Sequence, residues 1–389
     1  MEGGKIKGYG AFGCVFQPSL TCKDPNDTIK NKDYVSKLQN NDEGVKEMRI
    51  GKYIKKNLNN YEDFALIPES KCKPSSKQQD KDINKCMFFD ISRKSEYYAI
   101  IMSKYGGTTY ELKIRSLIRS TQKKNDKQLF IKNYSNFIKE MGSLFMGISE
   151  FYENDLIHND IKEQNILRLV KNTDSLEKGL RFIDFGLSGI LPHDIESLKE
   201  KSKVSFLEPR WYFVYPPEYL YCMGSAFRGL ELRKEYDDDL FKKRALYNNI
   251  RDVHVKIVKT CKTNKEFDDR IKMVILKSLE LDYNNNELLY DIFTKIDVYS
   301  LAMACVFLFS YIKNSGTKSI IQIISKSKKG TFLGDFRLLL KKMLDLNYKK
   351  RIDATSAYKE FTKLLKKDYS KSKSSIKTRK KRKKITKKR

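Results

Sequence analysis

The run His158-Asn159-Asp160-Ile161-Lys162-Glu163-Gln164-Asn165 places a carboxylate, an ammonium and an amide on one short loop. Asp184-Phe185-Gly186 adds another carboxylate a strand and a turn later, next to a glycine. These residue types suit phosphoryl transfer. An attacking hydroxyl needs a carboxylate to orient it and take its proton, and the transferred phosphate needs a cation beside it. An Asn and an Asp supply hard oxygen ligands that can hold magnesium between phosphate oxygens.

Such chemistry requires a phosphate-covering loop and an anchoring lysine upstream. Gly8-Tyr9-Gly10-Ala11-Phe12-Gly13-Cys14-Val15 reads G-x-G-x-x-G-x-V, where glycines let backbone N–H groups approach phosphate oxygens. A dinucleotide-binding fold shows a related spacing but opens directly into a helix. Here Cys14-Val15-Phe16 reads as strand, and Pro18 and Pro25 bar an early helix. Tyr34-Val35-Ser36-Lys37-Leu38 is a second short strand carrying one lysine. Residues 42–54 then form a candidate helix with Val45, Met48, Ile50 and Ile54 as its apolar stripe. Either Glu43 or Glu47 could face Lys37; Glu47 is preferred, with Ile50 three residues later.

In order and type these runs resemble the glycine loop, lysine strand, catalytic loop and metal loop of the eukaryotic-type protein kinase superfamily. Pro216-Pro217-Glu218 stands where that family has Ala-Pro-Glu, Asp297 opens a segment like its buried central helix, and Arg351 sits where it keeps a partner for that Glu. The resemblance spans residue 8 to about 365. It implies an α+β, two-lobed kinase fold: a small β-rich N-lobe with one helix (1–103) and a large mostly helical C-lobe (104–365). Residues 366–389, densely basic and with no apolar residue to bury over 378–384, read as a disordered tail.

The resemblance also implies roles. Asp160 is the base at the hydroxyl, Lys162 contacts the γ-phosphate, and Asn165 and Asp184 hold Mg2+. ATP lies against Lys7, Gly8, Tyr9, Gly10, Ala11, Phe12, Gly13, Cys14 and Val15, with Lys37 paired to Glu47 on the inner phosphates. Ser103 and Tyr105 form the adenine hinge, Leu167 its apolar floor and Val15 its ceiling. Met102 is the expected gatekeeper, with a one-residue slip to Ile101 as the alternative. Lys162, two after Asp160, is the arrangement of serine/threonine kinases, so protein Ser/Thr hydroxyls are the implied substrates. Small-molecule and lipid kinases generally lack the Pro-Pro-Glu segment with its Arg partner. The alternative is a catalytically weak pseudokinase scaffold with a polyanion-binding tail, although Lys37, Asp160, Asn165 and Asp184 are all present. The Gly10–Cys22 start, the Val35-Ser36-Lys37-Leu38 strand and Tyr215-Pro216-Pro217-Glu218 resemble Ser/Thr kinases of large nucleocytoplasmic DNA viruses. That implies infected-host cytoplasm or a virion, with nuclear entry open through the tail.

Three departures stand out. Asn159 replaces the Arg that usually receives an activation-loop phosphate, so activity is expected not to require that phosphorylation. The segment 208–215 lacks the usual Thr facing Lys162. Residues 221–290 read as an insertion, either decorative or a docking platform.

Composition sets outer bounds. At 389 residues with 40% hydrophobic content the chain can bury a substantial core. The glycine run begins at Gly8, which leaves no room for a signal peptide ahead of it. The longest apolar run, Leu301 to Phe309, is too short to cross a membrane and reads as core helix. Residues 131–157 read as one long helix delivering the catalytic loop, with His158 packed in support. The seven cysteines show no C-x-x-C pair and are expected as free thiols in a reducing compartment; a metal or disulfide at Cys72 and Cys86 is the alternative. Lys and Arg exceed Asp and Glu by 29, and residues 366–389 carry 13 of that excess. A tail so basic and free of aromatics from Ser370 onward suits phosphate or acidic-partner contacts without base stacking.

Overall fold

A computed structural model of the chain describes residues 4–10, 13–29, 34–75, 86, 98–104, 107–124, 126–169, 179–199, 215–218, 245–280, 285–311 and 315–367. The calls on Ala11, Phe12, Tyr105, the 366–389 tail beyond Lys367, most of 208–215, and residues 221–244 and 281–284 of the insertion lie outside these residues.

The first part is an antiparallel sheet with one helix. Strands β1 (Lys5–Gly10), β2 (Gly13–Gln17), β3 (Tyr34–Asn40), β4 (Pro68–Cys72) and β5 (Tyr98–Lys104) run in the order β1-β2-β3-β5-β4. Gly13 permits the tight β2–β3 approach: a Cβ there would meet the Leu38 carbonyl oxygen at 2.2 Å. Helix α1 (Asn41–Asn57) starts at Asn40, whose side chain accepts from the Asp42 N–H. Gly44, Glu47, Ile50, Gly51 and Ile54 form its buried face, whereas Val45, expected in the stripe, is 49% exposed. Glycine can face the sheet where a branched side chain would collide; a Cβ on Gly44 would lie 2.9 Å from that of Ala99.

The second part is mainly helical. It begins with β6 (Gly107–Thr109), α2 (Tyr110–Lys124), α3 (Lys127–Glu140) and α4 (Gly142–Glu153). The single helix expected over 131–157 is therefore two, broken at Met141, whose N–H turns back to the Ile138 carbonyl just before the weak helix former Gly142. Its expected inward residues, Phe137, Ile138, Met141, Leu144, Phe145, Ile148 and Phe151, are all buried. The short strands β7 (Leu156–Ile157), β8 (Ile166–Leu169), β9 (Leu180–Phe182) and β10 (Gly189–Ile190) frame two loops, with β10 on β7 and β8 between β6 and β9. Helices α5 (Ala245–Asp252), α6 (Asn264–Glu280), α7 (Asn286–Phe293), α8 (Ile296–Tyr311), α9 (Ser315–Ser325), α10 (Phe332–Met343) and α11 (Ala354–Lys366) complete it. The described residues of the proposed insertion thus fold mainly into helices, and Tyr247, Ile250, Val253, Phe267 and Ile271 join the main core.

Helix α8 is apolar all round and central to that core. The helical stretch Asn286–Ser310 is long and apolar enough to cross a membrane, longer than the 301–309 run suggested, but it is 89% buried inside the fold.

The cysteine expectation is corrected. Cys14 pairs with Cys86 and Cys22 with Cys72, with Cα separations of 5.9 and 5.7 Å. Neither free thiols nor a Cys72–Cys86 link describes them. All four sulfurs lie in an apolar cluster with Phe16, Leu38, Ile100 and Met102, on the sheet face away from α1. Cys261 and Cys305 are free and buried.

Candidate active site

Lys37 lies at the middle of β3, opposite Val15 on β2 and Ile101 on β5. Residues directly opposite in antiparallel strands share a face, so Val15, Lys37 and Ile101 all point to the α1 side. Lys37 Nζ donates to Glu47 Oε2 at 3.1 Å and to Asp184 Oδ1 at 2.7 Å. Glu43 instead pairs with Lys46 on the surface. Burial works to lower the Lys37 pKa, but the two carboxylates outweigh it and hold the ammonium above its ordinary value. Burial likewise opposes ionisation of Asp184, and Lys37 prevails, keeping that carboxyl below its usual range.

Gln39, two residues along the same strand face, donates from Nε2 to Glu47 Oε2 at 2.8 Å and is buried. The period-2 pattern of β3 was the signal that could have found it. The same parity separates Met102 from Lys37. Met102 pairs with Ser36 rather than Lys37 and packs with Cys14 and Phe16 on the opposite face. Ile101, the alternative, is on the Lys37 face.

The 158–165 loop is held from below. Asp297, at the start of α8, accepts from the N–H groups of His158 at 2.7 Å and Asn159 at 3.0 Å. Burial pushes the Asp297 carboxyl up to about 7 despite these donors. His158 is wholly buried among Phe151, Phe182 and Phe185, and burial brings its pKa down to about 4, a packed and neutral ring. Asn159 adopts φ +60°, a left-handed backbone that Asn tolerates better than most residues. Its Nδ2 donates to the Leu187 carbonyl at 3.3 Å, so this side chain ties the two loops together.

Asp160 is held by two neighbours on the loop. Asn165 Nδ2 donates to its Oδ2 at 2.8 Å and to its carbonyl at 3.0 Å, and Lys162 Nζ lies 2.8 Å from Oδ2. Burial raises its pKa to about 6, against the pull of Lys162 and Asn165. Thus Asp160, Lys162 and Asn165 meet in one cluster, and Lys37, Glu47 and Asp184 in another, with the Asp160 and Asp184 charges close enough to feel each other.

The remaining expected residues are placed around these clusters. Gly8 lies opposite Val15, Tyr9 opposite Cys14 and Gly10 opposite Gly13; Lys7 and Tyr9 face solvent. Ser103 is the second-to-last residue of β5, opposite Val35. Leu167 is buried on β8 beside Leu66, Leu169 and Ile183. Cys14 is disulfide-bonded, with its side chain in the far cluster rather than toward Lys37.

The oxygen donors fit a small hard cation shared with phosphates. Asn165 spends its amide nitrogen on Asp160 and leaves its side-chain oxygen available, and Asp184 is ionised. Among the described residues no group of three His, Cys, Asp or Glu could hold a metal by itself. Two protein oxygens completed by substrate phosphates is the usual magnesium arrangement.

Further along, Arg351 and Glu218 form an ion pair with both side chains almost fully buried. Arg351 also donates to the carbonyls of Asp345 and Lys295 and lies over the Tyr299 ring. Burial raises the Glu218 pKa against the Arg351 charge.

No family model matches the chain. Over 108 residues it is 35% identical to the serine/threonine-protein kinase CAK1 of Saccharomyces cerevisiae. The matched region is 27% of this chain and 28% of that protein's length. This partial similarity relates the mixed α+β chain to a protein kinase.

Proposed function

We propose that the chain is a two-lobed serine/threonine protein kinase that transfers the γ-phosphate of ATP to protein hydroxyls. The observation that carries this reading is the meeting of Lys37, Glu47 and Asp184 beside the Asp160–Lys162–Asn165 cluster, drawn from segments up to 147 residues apart in sequence. The similarity to a yeast Ser/Thr kinase supports it.

Asp160, fixed by Asn165, orients the attacking hydroxyl and accepts its proton. Lys162 sits beside it to offset charge growing on the transferred phosphate. Lys37, pinned by Glu47, holds the inner phosphates. Asn165 and Asp184 would hold Mg2+, which when bound neutralises phosphate charge. The viral resemblance, and with it infected cytoplasm or a virion, rests on the sequence of the 10–22 start, the 35–38 strand and the 215–218 run, and a polyanion contact through the tail rests on the charge of residues 366–389.

The test is incorporation of radiolabel from γ-labelled ATP with magnesium into casein and a histone. Label on Ser or Thr is the expected result; nucleotide binding with no transfer under any condition would favour the scaffold reading. A chain ending at Lys367 belongs beside the full chain, because Lys367 still pairs with Asp335 and a shorter one would trim α11. A pH series offers a second check. Asp160 must be ionised to accept a proton and titrates at about 6, so kcat/KM should rise through that pH and level off above it. A profile still climbing steeply above neutrality would place the base elsewhere.

A further inference from the structure

Helix α1 carries Glu47, and Glu47 positions Lys37 only while α1 stays docked. Two residues beyond Glu47, Arg49 reaches across to the segment that follows Asp184. Its Nη2 donates to Asp194 Oδ2 at 2.6 Å. Asp194 is not a chance surface partner. Its side chain is only 9% exposed, its Oδ2 also accepts from the Ile190 N–H at 2.8 Å, and His193 Nδ1 lies 3.1 Å from Oδ1.

The backbone around Asp194 is fixed as well. β10 pairs with β7 immediately before His158, the Leu191 N–H donates to the Asp155 carbonyl, and Ile195 and Leu198 are buried in the main core. A carboxylate held this firmly presents a fixed negative charge to a moving helix. One turn on, Tyr53 Oη donates to the Asn154 carbonyl at 2.8 Å, a neutral tie. Arg49–Asp194 is thus the charged bond from α1 to the segment after Asp184.

We propose that Asp194 and Arg49 are a positioning pair: Asp194 supplies, within the unmodified chain, the negative charge that docks α1 and sets the Glu47–Lys37 contact without a phosphate. Asn159 fits this arrangement, since its short amide is committed to the Leu187 carbonyl. The inference rests on the kinase reading for its catalytic consequence, but not for its structural one.

The experiment uses phosphatase-treated full-length protein, so that no added phosphate can supply the charge. Arg49→Met, Arg49→Lys and wild type are compared by amide hydrogen exchange in α1 and by steady-state kinetics. Arg49 is 45% exposed, so neither variant leaves a hole in the core. Arg49→Met should exchange α1 amides about tenfold faster and lower kcat about tenfold with little change in protein-substrate KM, the loss expected of one charge-assisted contact. Arg49→Lys should recover most of both. Unchanged α1 exchange in Arg49→Met, or equal defects in Met and Lys variants, would overturn the pair. A wild type that transfers no phosphate would remove the function proposed above, and the exchange result would still decide the latch.

Discussion

Asp160→Ala is expected to lower the rate of phosphoryl transfer by about 10³-fold or more while leaving ATP binding within a few-fold of wild type. The size of the effect follows from the degree to which this carboxylate is prepared. Asn165 and Lys162 both bond its Oδ2. Its other oxygen is left to meet a hydroxyl, and burial keeps its pKa near the working range of a general base, at about 6. Removing it leaves Lys162 without its counter-charge as well as removing the base. Single-turnover rates with saturating ATP are the right measurement, because they exclude product release. A loss smaller than about tenfold would mean that Asp160 does not meet the reacting hydroxyl.

The second large effect concerns the sheet. Reducing Cys14–Cys86 and Cys22–Cys72 should destabilise the first part of the molecule by several kcal/mol, since each closes a loop of 50 residues or more and such links contribute roughly 2–4 kcal/mol apiece. In thermal unfolding with and without a dithiol reductant, the midpoint should fall by about 10 °C. A Cys22→Ala/Cys72→Ala double variant should begin lower and respond less. An identical midpoint in the two conditions would show that these links add nothing to the fold's stability. The Cys14 link has a local side too, because it anchors the strand directly after Gly13 in the glycine run.

Which of these features could be seen in the sequence depended on how much chemistry constrains a residue. Asp160, Lys162 and Asn165 cluster in space, and Asp184 joins Lys37 beside them; their residue types stand out in the sequence because few other runs combine them so closely. Asp297 and the Arg351–Glu218 pair were expected from the family resemblance, and the fold places Asp297 under the loop and Arg351 on Glu218. Ile101 and Met102 could not be told apart because two apolar residues in a row look alike in a sequence, and only strand register shows that Ile101 is the one opposite Lys37. The disulfides were hidden because pairing depends on Cα separations that spacing along the chain does not encode. Arg49 and Asp194 were invisible for a third reason: a lone Arg and a lone Asp, 145 residues apart, look like any solvated charges until the fold brings them together.

Helix α11 packs directly behind α4, with the Phe361 ring stacked on Phe145 at 4.0 Å. Thr355 bridges the two helices, its hydroxyl donating to Glu153 and accepting from Ser149. α4 in turn delivers the loop that holds Asp160. The chain is made from its N-terminus, so every side chain of the site leaves the ribosome well before the helix that braces it. A nascent polypeptide stalled ahead of residue 355 would display Lys37, Asp160 and Asp184, with Asp297 already made to hold the loop but without the helix that stacks on Phe145 of α4. On the kinase reading proposed above, competence would then arrive with α11 rather than when Asp184 is added.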